Sequence, residues 1–138
     1  MARILAIDYG GKRTGLAVTD PLQIIASALD TVESDQVLSF LKNYVAKEPV
    51  ECFVVGEPKN LDGTPTHATP LVEAFIASLQ KNFPAIPVKR WDERFTSKIA
   101  LQTMVAGDFK KADRSKKENL DKISATLILQ GYLQSIKK

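Results

Sequence analysis

Four acids in this chain follow directly on short apolar runs: Asp8 after Ile4-Leu5-Ala6-Ile7, Glu57 after Phe53-Val54-Val55-Gly56, and Asp92-Glu93 after the segment that begins at Val88. A fifth, Asp121, opens the last helical pattern. Carboxylates gathered at one place repel one another and raise one another's pKa unless cations sit among them. Hard oxygen ligands of this type suit Mg²⁺ or Mn²⁺, and a pair of such ions forms the clamp used for in-line phosphodiester hydrolysis. Taken singly, each acid has a plainer reading. Asp8 can cap a turn, and Asp121 can be a first-turn acid favoured by the helix dipole. The chain has no HExxH, no paired CxxC and no GxxxxGK[ST], so zinc and P-loop chemistry lack support. His67, the single histidine, reads as a surface residue at a helix start and offers little to a Ser-His dyad.

The elements that must position these acids can be read from periodicity. Ile4 to Ile7 runs without a polar break, as expected of a strand covered on both faces. Gly10-Gly11-Lys12 turns the chain, and Thr14 to Val18 closes a hairpin. Asp20-Pro21 marks a turn before a third strand over residues 24–32. Ser34 reads as an N-cap with Asp35 in the first turn of a helix, whose stripe is Val37, Leu38, Leu41 and Val45 and whose stop is Pro49. A buried strand over 51–56 follows. The turn-rich stretch 59–65 then leads to a helix with stripe Leu71, Val72, Phe75, Ile76 and Leu79. A short strand over 88–91, a helix carrying Ile99, Met104 and Val105, a charged loop over 108–119 and a last helix over 120–136 complete the order. That order predicts an α/β fold, a five-stranded mixed sheet of three antiparallel and two parallel strands flanked by helices, in one domain spanning 1–138. Right-handed crossovers then bring the carboxyl ends of the strands at 4–7, 51–56 and 88–91 to one edge, where sites form in open α/β sheets. In the last helix Asp121 shares a face with Ala125, Ile128 and Tyr132.

Charge points the same way. The net charge is only +3, but Lys12, Arg13, Lys59 and Arg94 fall near the acidic edge, and Lys110, Lys111, Arg114, Lys116 and Lys117 crowd the segment before Asp121. Cations that grip phosphates beside metal-held acids describe a nuclease, although a charge run alone is commonly just a solvated face. Cys52 lies in an apolar run and reads as a small buried hydrophobe. No apolar run reaches the ~18 residues of a membrane span, and a soluble cytoplasmic protein is expected.

Asp8-Tyr9-Gly10-Gly11-Lys12-Arg13-Thr14-Gly15-Leu16-Ala17, Val55-Gly56-Glu57-Pro58-Lys59-Asn60-Leu61-Asp62-Gly63-Thr64, Trp91-Asp92-Glu93-Arg94-Phe95-Thr96-Ser97 and Asp121-Lys122-Ile123-Ser124-Ala125 resemble, in order, the motifs of the YqgF family, also called RuvX. The resemblance implies a ribonuclease H-like fold related to the RuvC junction resolvase. It also implies a nuclease that matures the 5′ end of the 16S ribosomal RNA precursor, with Holliday junction resolution as the older assignment. Carried over by position, it implies an acidic triad of Asp8, Glu93 and Asp121. Glu57 departs from the family pattern, in which an apolar residue commonly precedes the proline. RuvC-like enzymes place an acid at the end of that strand, so Glu57 joins the candidate metal ligands, as does Asp92.

Two other classes fit parts of the chain. A hairpin with an Asp and glycines also cradles nucleotide phosphates in actin-like ATPases, but those bind between two domains. A nucleic-acid-binding module without turnover needs only the cations. For the nuclease, RNA is favoured over a four-way DNA junction, because the helix stripes are all needed to cover the sheet and leave no spare apolar patch for a dimer. A monomer is expected, with a dimer as the alternative, and Phe95, Phe109 and Tyr132 are the exposed aromatics suited to stacking on unpaired bases. Changing Lys110, Lys111, Lys116 and Lys117 to Ala should weaken nucleic-acid binding for all sequences alike, and the slope of log K against log salt should flatten by ~0.7 to 0.9 for each phosphate that is no longer neutralised. An unchanged slope would reduce the segment to a solvated surface.

Overall fold

The computed structural model of the chain describes residues 2–57, 69–92 and 117–136, with side chains in the last segment from Ser124 onward. The apolar run at the start becomes β1 (Arg3–Tyr9), the middle strand of a five-stranded sheet. On one side it pairs antiparallel with β2 (Arg13–Thr19), which pairs antiparallel with β3 (Ala26–Glu33). On the other it pairs parallel with β4 (Val50–Glu57), which pairs parallel with β5 (Val88–Asp92). The order across the sheet is β3-β2-β1-β4-β5, three antiparallel strands followed by two parallel ones. Three helices are described: α1 (Val37–Lys47), α2 (Thr69–Asn82) and α3 (Lys117–Ile136). Among the described residues no helix is long and apolar enough to cross a membrane.

The two-residue period of the strands splits the core into two layers. Leu5, Ile7, Leu16, Phe53 and Val55 pack with Val37 and Leu41 of α1 and Phe75, Ile76 and Leu79 of α2. Ile4, Ala6, Ala17, Cys52 and Val54 pack with Ala125, Ile128, Leu129 and Leu133 of α3. Each large aliphatic so buried contributes about 1.5–3 kcal/mol. Ala6, Ala17 and Cys52 of the sheet and Ala125 of α3 stand among the larger residues of this face and let the helix sit close to the sheet. Gly131 shows how close: a Cβ there would lie 2.7 Å from Cζ2 of Trp91 on β5. Cys52 is 4% exposed, as its sequence context indicates, and burial pushes its thiol pKa up.

Several details differ from the sequence expectations. The third strand begins at Ala26 rather than at position 24, because the Asp20 carboxylate captures the chain before it. Its oxygens accept the backbone N–H groups of Leu22 at 3.1 Å and of Ile24 and Ile25 at 2.8 Å each. The Ile25 N–H is the main cause that holds the Asp20 carboxyl below its ordinary pKa. Ser34 does not cap α1. It starts a 3-10 turn, Ser34–Gln36, and its hydroxyl is used elsewhere. Leu71 is 50% exposed on α2, so the buried stripe there is Val72, Phe75, Ile76 and Leu79. Tyr132 is half-buried against the α3-side core and hydrogen-bonds the Cys52 thiol, which removes it from the expected set of exposed aromatics. Leu22, Ile24 and Ile25 are exposed together, so the expectation of no spare apolar patch fails. The helix over 96–106, the charged loop, His67, Phe95 and Phe109 lie outside the described residues.

Gly131→Ala should test the close approach of α3. Helix propensity favours Ala by ~1 kcal/mol, while overpacking costs about 1–3 kcal/mol, so a net loss of about 1 kcal/mol is expected. Trp91 is the chain's single tryptophan, so its emission spectrum should shift in the folded variant. A more stable protein with unchanged emission would show that the indole does not constrain the helix.

Candidate active site

Asp8 is the residue around which the carboxyl edge of the sheet is built. The period of β1 puts Ile4, Ala6 and Asp8 on the α3 face, and Leu5, Ile7 and Tyr9 on the α1/α2 face. Tyr9 stacks on Phe75 of α2, with ring centroids 4.2 Å apart and planes 17° from parallel. That contact anchors the strand end on one face and leaves the acid on the other. Asp8 pairs in register with Gly15 of β2, which pairs with Thr31 of β3. On the other flank Ile7 pairs with Val55, so the next step of the ladder beside Asp8 is Gly56, itself opposite Trp91. The half-buried carboxylate therefore stands between two strand positions that carry no side chain. Gly15 and Gly56 escaped the sequence reading as site residues. Their signal was glycine inside an otherwise apolar strand pattern, which marks a close approach by something else.

The course of α3 brings its first turns to this edge. Near its far end, Tyr132 meets Cys52, a residue level with Ile4, and Leu133 borders a cavity with Ile24, Ile25 and Ala26 at the β2–β3 loop. Position 121 is eleven residues back, about 16 Å along the helix. The span from Ile4 to Asp8 is about 13 Å. The backbone of Asp121 therefore falls near the level of Asp8, one turn before the buried Ala125. The side chain of Asp121 lies outside the described residues, as does Glu93.

The remaining acids divide by face. Glu57 pairs in register with Asp92, both of them in phase with Phe53, Val55 and Val88 on the α1/α2 face. Arg90 engages Glu57: its Nη1 lies 3.1 Å from Glu57 Oε2 and 2.6 Å from Glu73 Oε2 of α2. Glu73, then Glu57, hold the Arg90 guanidinium in its charged form more firmly than usual. This bridge ties α2 to the ends of β4 and β5. Among the described residues no three His, Cys, Asp or Glu side chains group as a metal site.

Of the cations, Lys12 and Arg13 sit on the β1–β2 turn beside a cavity of about 780 Å³, whose wall also includes Gly11, Thr31, Glu33 and Asp35. Asp8 is not in that wall. The turn is held by Ser34, whose hydroxyl donates to the Gly10 carbonyl and lies 2.9 Å from Oγ1 of the buried Thr14. The Ser34 N–H donates to the Lys12 carbonyl at 2.9 Å. Gly10 is required here, since a Cβ would collide with the Arg13 carbonyl. Lys59, Arg94, Lys110, Lys111, Arg114 and Lys116 fall outside the described residues, and Lys117 opens α3 with its side chain outside them.

Comparison with known proteins adds a family match, two relatives and two structural neighbours. A family model described as RuvX, Holliday junction resolvase, matches residues 2–135. A protein of Amoebophilus asiaticus named "Putative pre-16S rRNA nuclease" is 55% identical over 138 residues, covering 100% of this chain and 98% of that protein. A protein of the same name from Bacteroides thetaiotaomicron is 51% identical over 135 residues, covering 98% of each. Among solved structures, T. thermophilus RuvC in complex with Holliday junction substrate superposes with a TM-score of 0.62 at 16% identity, covering 99% of this chain and 97% of that one. The fowlpox virus Holliday junction resolvase gives 0.53 at 16% identity, covering 97% and 99%. The fold is thus ribonuclease H-like.

Ser34→Ala should loosen the turn without touching the acids. Removing both hydroxyl hydrogen bonds at ~1 kcal/mol each, with the buried Thr14 hydroxyl left short of a partner, should lower Tm by about 4–8 °C. A thermal melt decides this, and an unchanged Tm would show that the backbone bond from Ser34 to Lys12 suffices.

Proposed function

Given that this chain belongs to the RuvX family, we propose that it is a metal-dependent endonuclease that hydrolyses phosphodiester bonds in the 5′-end processing of the 16S ribosomal RNA precursor. The observation that carries the reading is Asp8, held half-buried between Gly15 and Gly56 on the α3 face of the central strand. Room beside a carboxylate at the end of a buried strand fits a hydrated divalent ion and the phosphate it binds. Asp8, Glu93 and Asp121 are the ligands in this proposal, and all three offer the hard oxygens that Mg²⁺ or Mn²⁺ takes. Bound there, two such ions supply charge to stabilise the phosphorane-like transition state and lower the pKa of a bound water.

The chain's own residues have separable tasks. Asp8 fixes the position of the reacting phosphate relative to the sheet edge, because Tyr9 and Phe75 immobilise the strand end that carries it. Glu57 and Asp92 belong to the other face, and Glu57 is engaged by Arg90, so we assign this pair to holding β4 and β5 rather than to the ions. Lys12 and Arg13, on a turn fixed by Ser34, and the cations 59, 94, 110, 111, 114, 116 and 117 would receive backbone phosphates on either side of the cut. Hydrolysis joins a water oxygen to phosphorus and breaks the bond to the leaving ribose oxygen. The whole chain acts as one domain in this reading, in the cytoplasm where ribosomal RNA precursor is made.

A second reading has a specific basis: the family description and the two structural neighbours name Holliday junction resolution. The test compares, in Mn²⁺ and at one salt concentration, cleavage of a precursor-like RNA, its DNA analogue and a four-way DNA junction, by wild type and Asp8→Asn. The RNA should be cut and the junction spared. Asp8→Asn should lose at least ~10²-fold in rate, more than is usual for a group one step removed from a metal. In metal-free buffer the variant should melt no lower than wild type, since removing a charge relieves repulsion. Symmetric junction cutting with RNA ignored would replace the proposal by the second reading, and a large fall in Tm would make Asp8 a structural turn residue.

A further inference from the structure

We propose that two copies of this chain associate back to back, through the loop over residues 20–25 and the adjoining end of α3, as an isologous dimer. The inference is independent of the nuclease reading, because it concerns the end of the sheet opposite the acids. Thr19 closes β2 beside Ile4, its Oγ1 accepting the Ile4 N–H at 2.9 Å, so the loop that follows lies at the amino end of β1.

The loop is built to display aliphatic side chains. Leu22, Ile24 and Ile25 are 56%, 56% and 63% exposed, the most exposed of the large aliphatics among the described residues, ahead of Leu71 and Ile136. The backbone beneath them is fixed rather than loose. Asp20 accepts three of its N–H groups, the Gln23 N–H donates to the Asp20 carbonyl at 2.9 Å, and Gln23 Nε2 donates to the Ala2 carbonyl at 2.8 Å. Gln23 itself takes φ 59°, a left-handed conformation that an L side chain seldom adopts. A loop ordered in advance in this way loses little further entropy on association.

Beside the raised loop lies a recess. A cavity of about 400 Å³ is bounded by Ile24, Ile25 and Ala26 on one side and Gln130, Leu133 and Gln134 of α3 on the other. A projection and a recess on one patch are what a two-fold contact needs, since each copy then offers its projection to the other's recess. Charge supports a second copy over an oppositely charged partner. Residues 21–29 and 123–136 contain no Asp, Glu, Lys or Arg in a chain that is 25% charged, so two like-charged copies meet there without repulsion. The area is also sufficient. Ile136, one turn beyond Leu133, is 48% exposed, and with the three loop residues it brings the exposed aliphatic surface at this end to roughly 400 Å², the size of the largest patch on a typical monomer, which is often functional. Doubled across a two-fold axis and completed with polar surface in the usual proportion, this makes about 1,400 Å², within the range of stable interfaces.

In such a dimer the carboxyl edges face outward, separated by roughly twice the ~23 Å of a seven-residue strand. That spacing suits two independent substrates rather than paired cuts at one crossover. Sedimentation equilibrium of the full chain, from micromolar to near-millimolar concentration, should give a mass rising toward twice that of the monomer. Ile25→Glu on the loop and Gln134→Arg on the helix, both exposed positions, should each raise the dissociation constant at least tenfold while circular dichroism stays unchanged. Mixed in equal amounts, the two variants should associate with each other, because the Glu of one meets the Arg of its partner. A mass that stays monomeric throughout overturns the proposal and leaves the patch to a different protein. A dimer indifferent to both substitutions, or a mixture that remains monomeric, overturns the pairing of loop with recess.

Discussion

A strand covered on both faces can hold a charge only at its ends, and β1 is such a strand. Ile4, Leu5, Ala6 and Ile7 are all 1% exposed or less, so the first position at which the strand can carry a carboxylate is Asp8. From that constraint the rest of the edge follows. Tyr9 must go to the opposite face, where Phe75 receives it, and the strand end is gripped on the side away from the acid. The neighbouring strands place glycine at both positions adjacent to the acid.

The two faces of the sheet differ in kind, and this difference sorts the acids. The α1/α2 face is packed by large side chains such as Phe53, Phe75 and Phe83, with Phe53 and Phe83 meeting edge to face at 5.3 Å. Glu57 and Asp92 reach the edge of this bulky layer, and Arg90 turns Glu57 and Glu73 into a brace between strand and helix. An exposed bridge of this kind adds little net stability, so its value is geometric. The α3 face intersperses Ala6, Ala17 and Cys52 among Ile4 and Val54, and Gly131 of the helix fits against Trp91, so α3 approaches closely enough to bring its first turns level with Asp8. Proximity of backbones on that side, rather than bulk, sets the level of the helix against Asp8.

Polar side chains organise both ends of the sheet through the backbone. Ser34 fixes the turn that carries Lys12 and Arg13, and Asp20 fixes the loop that carries Leu22, Ile24 and Ile25. In each case a short side chain satisfies groups that a turn would otherwise leave open to water. One end of the molecule thereby presents cations and the other uncharged aliphatics.

The sequence by itself determined the five strands, their mixed antiparallel and parallel pairing, and the place of Asp8, Glu57 and Asp92 at the carboxyl ends of three of them. Continuous apolar runs, Gly-Gly and Asp-Pro turns and helical stripes are local signals, and right-handed crossover leaves few ways to arrange them. It also determined Cys52 as a core residue and the placing of Ala125 and Ile128 inward on the last helix. What only the tertiary structure decided is which face each group serves. Glu57 and Asp8 look equivalent as acids after buried strands, yet register and pleat put them on opposite faces, and the partner that engages Glu57 comes from 33 residues away. Ser34 and Asp20 carry the signature of caps and turns, but whether a hydroxyl caps its own helix or staples a distant hairpin depends on what the fold brings within reach. The same holds for Leu71, Ile24 and Ile25. An apolar stripe tells which residues are able to be buried, and the area of sheet available to cover them settles which ones are.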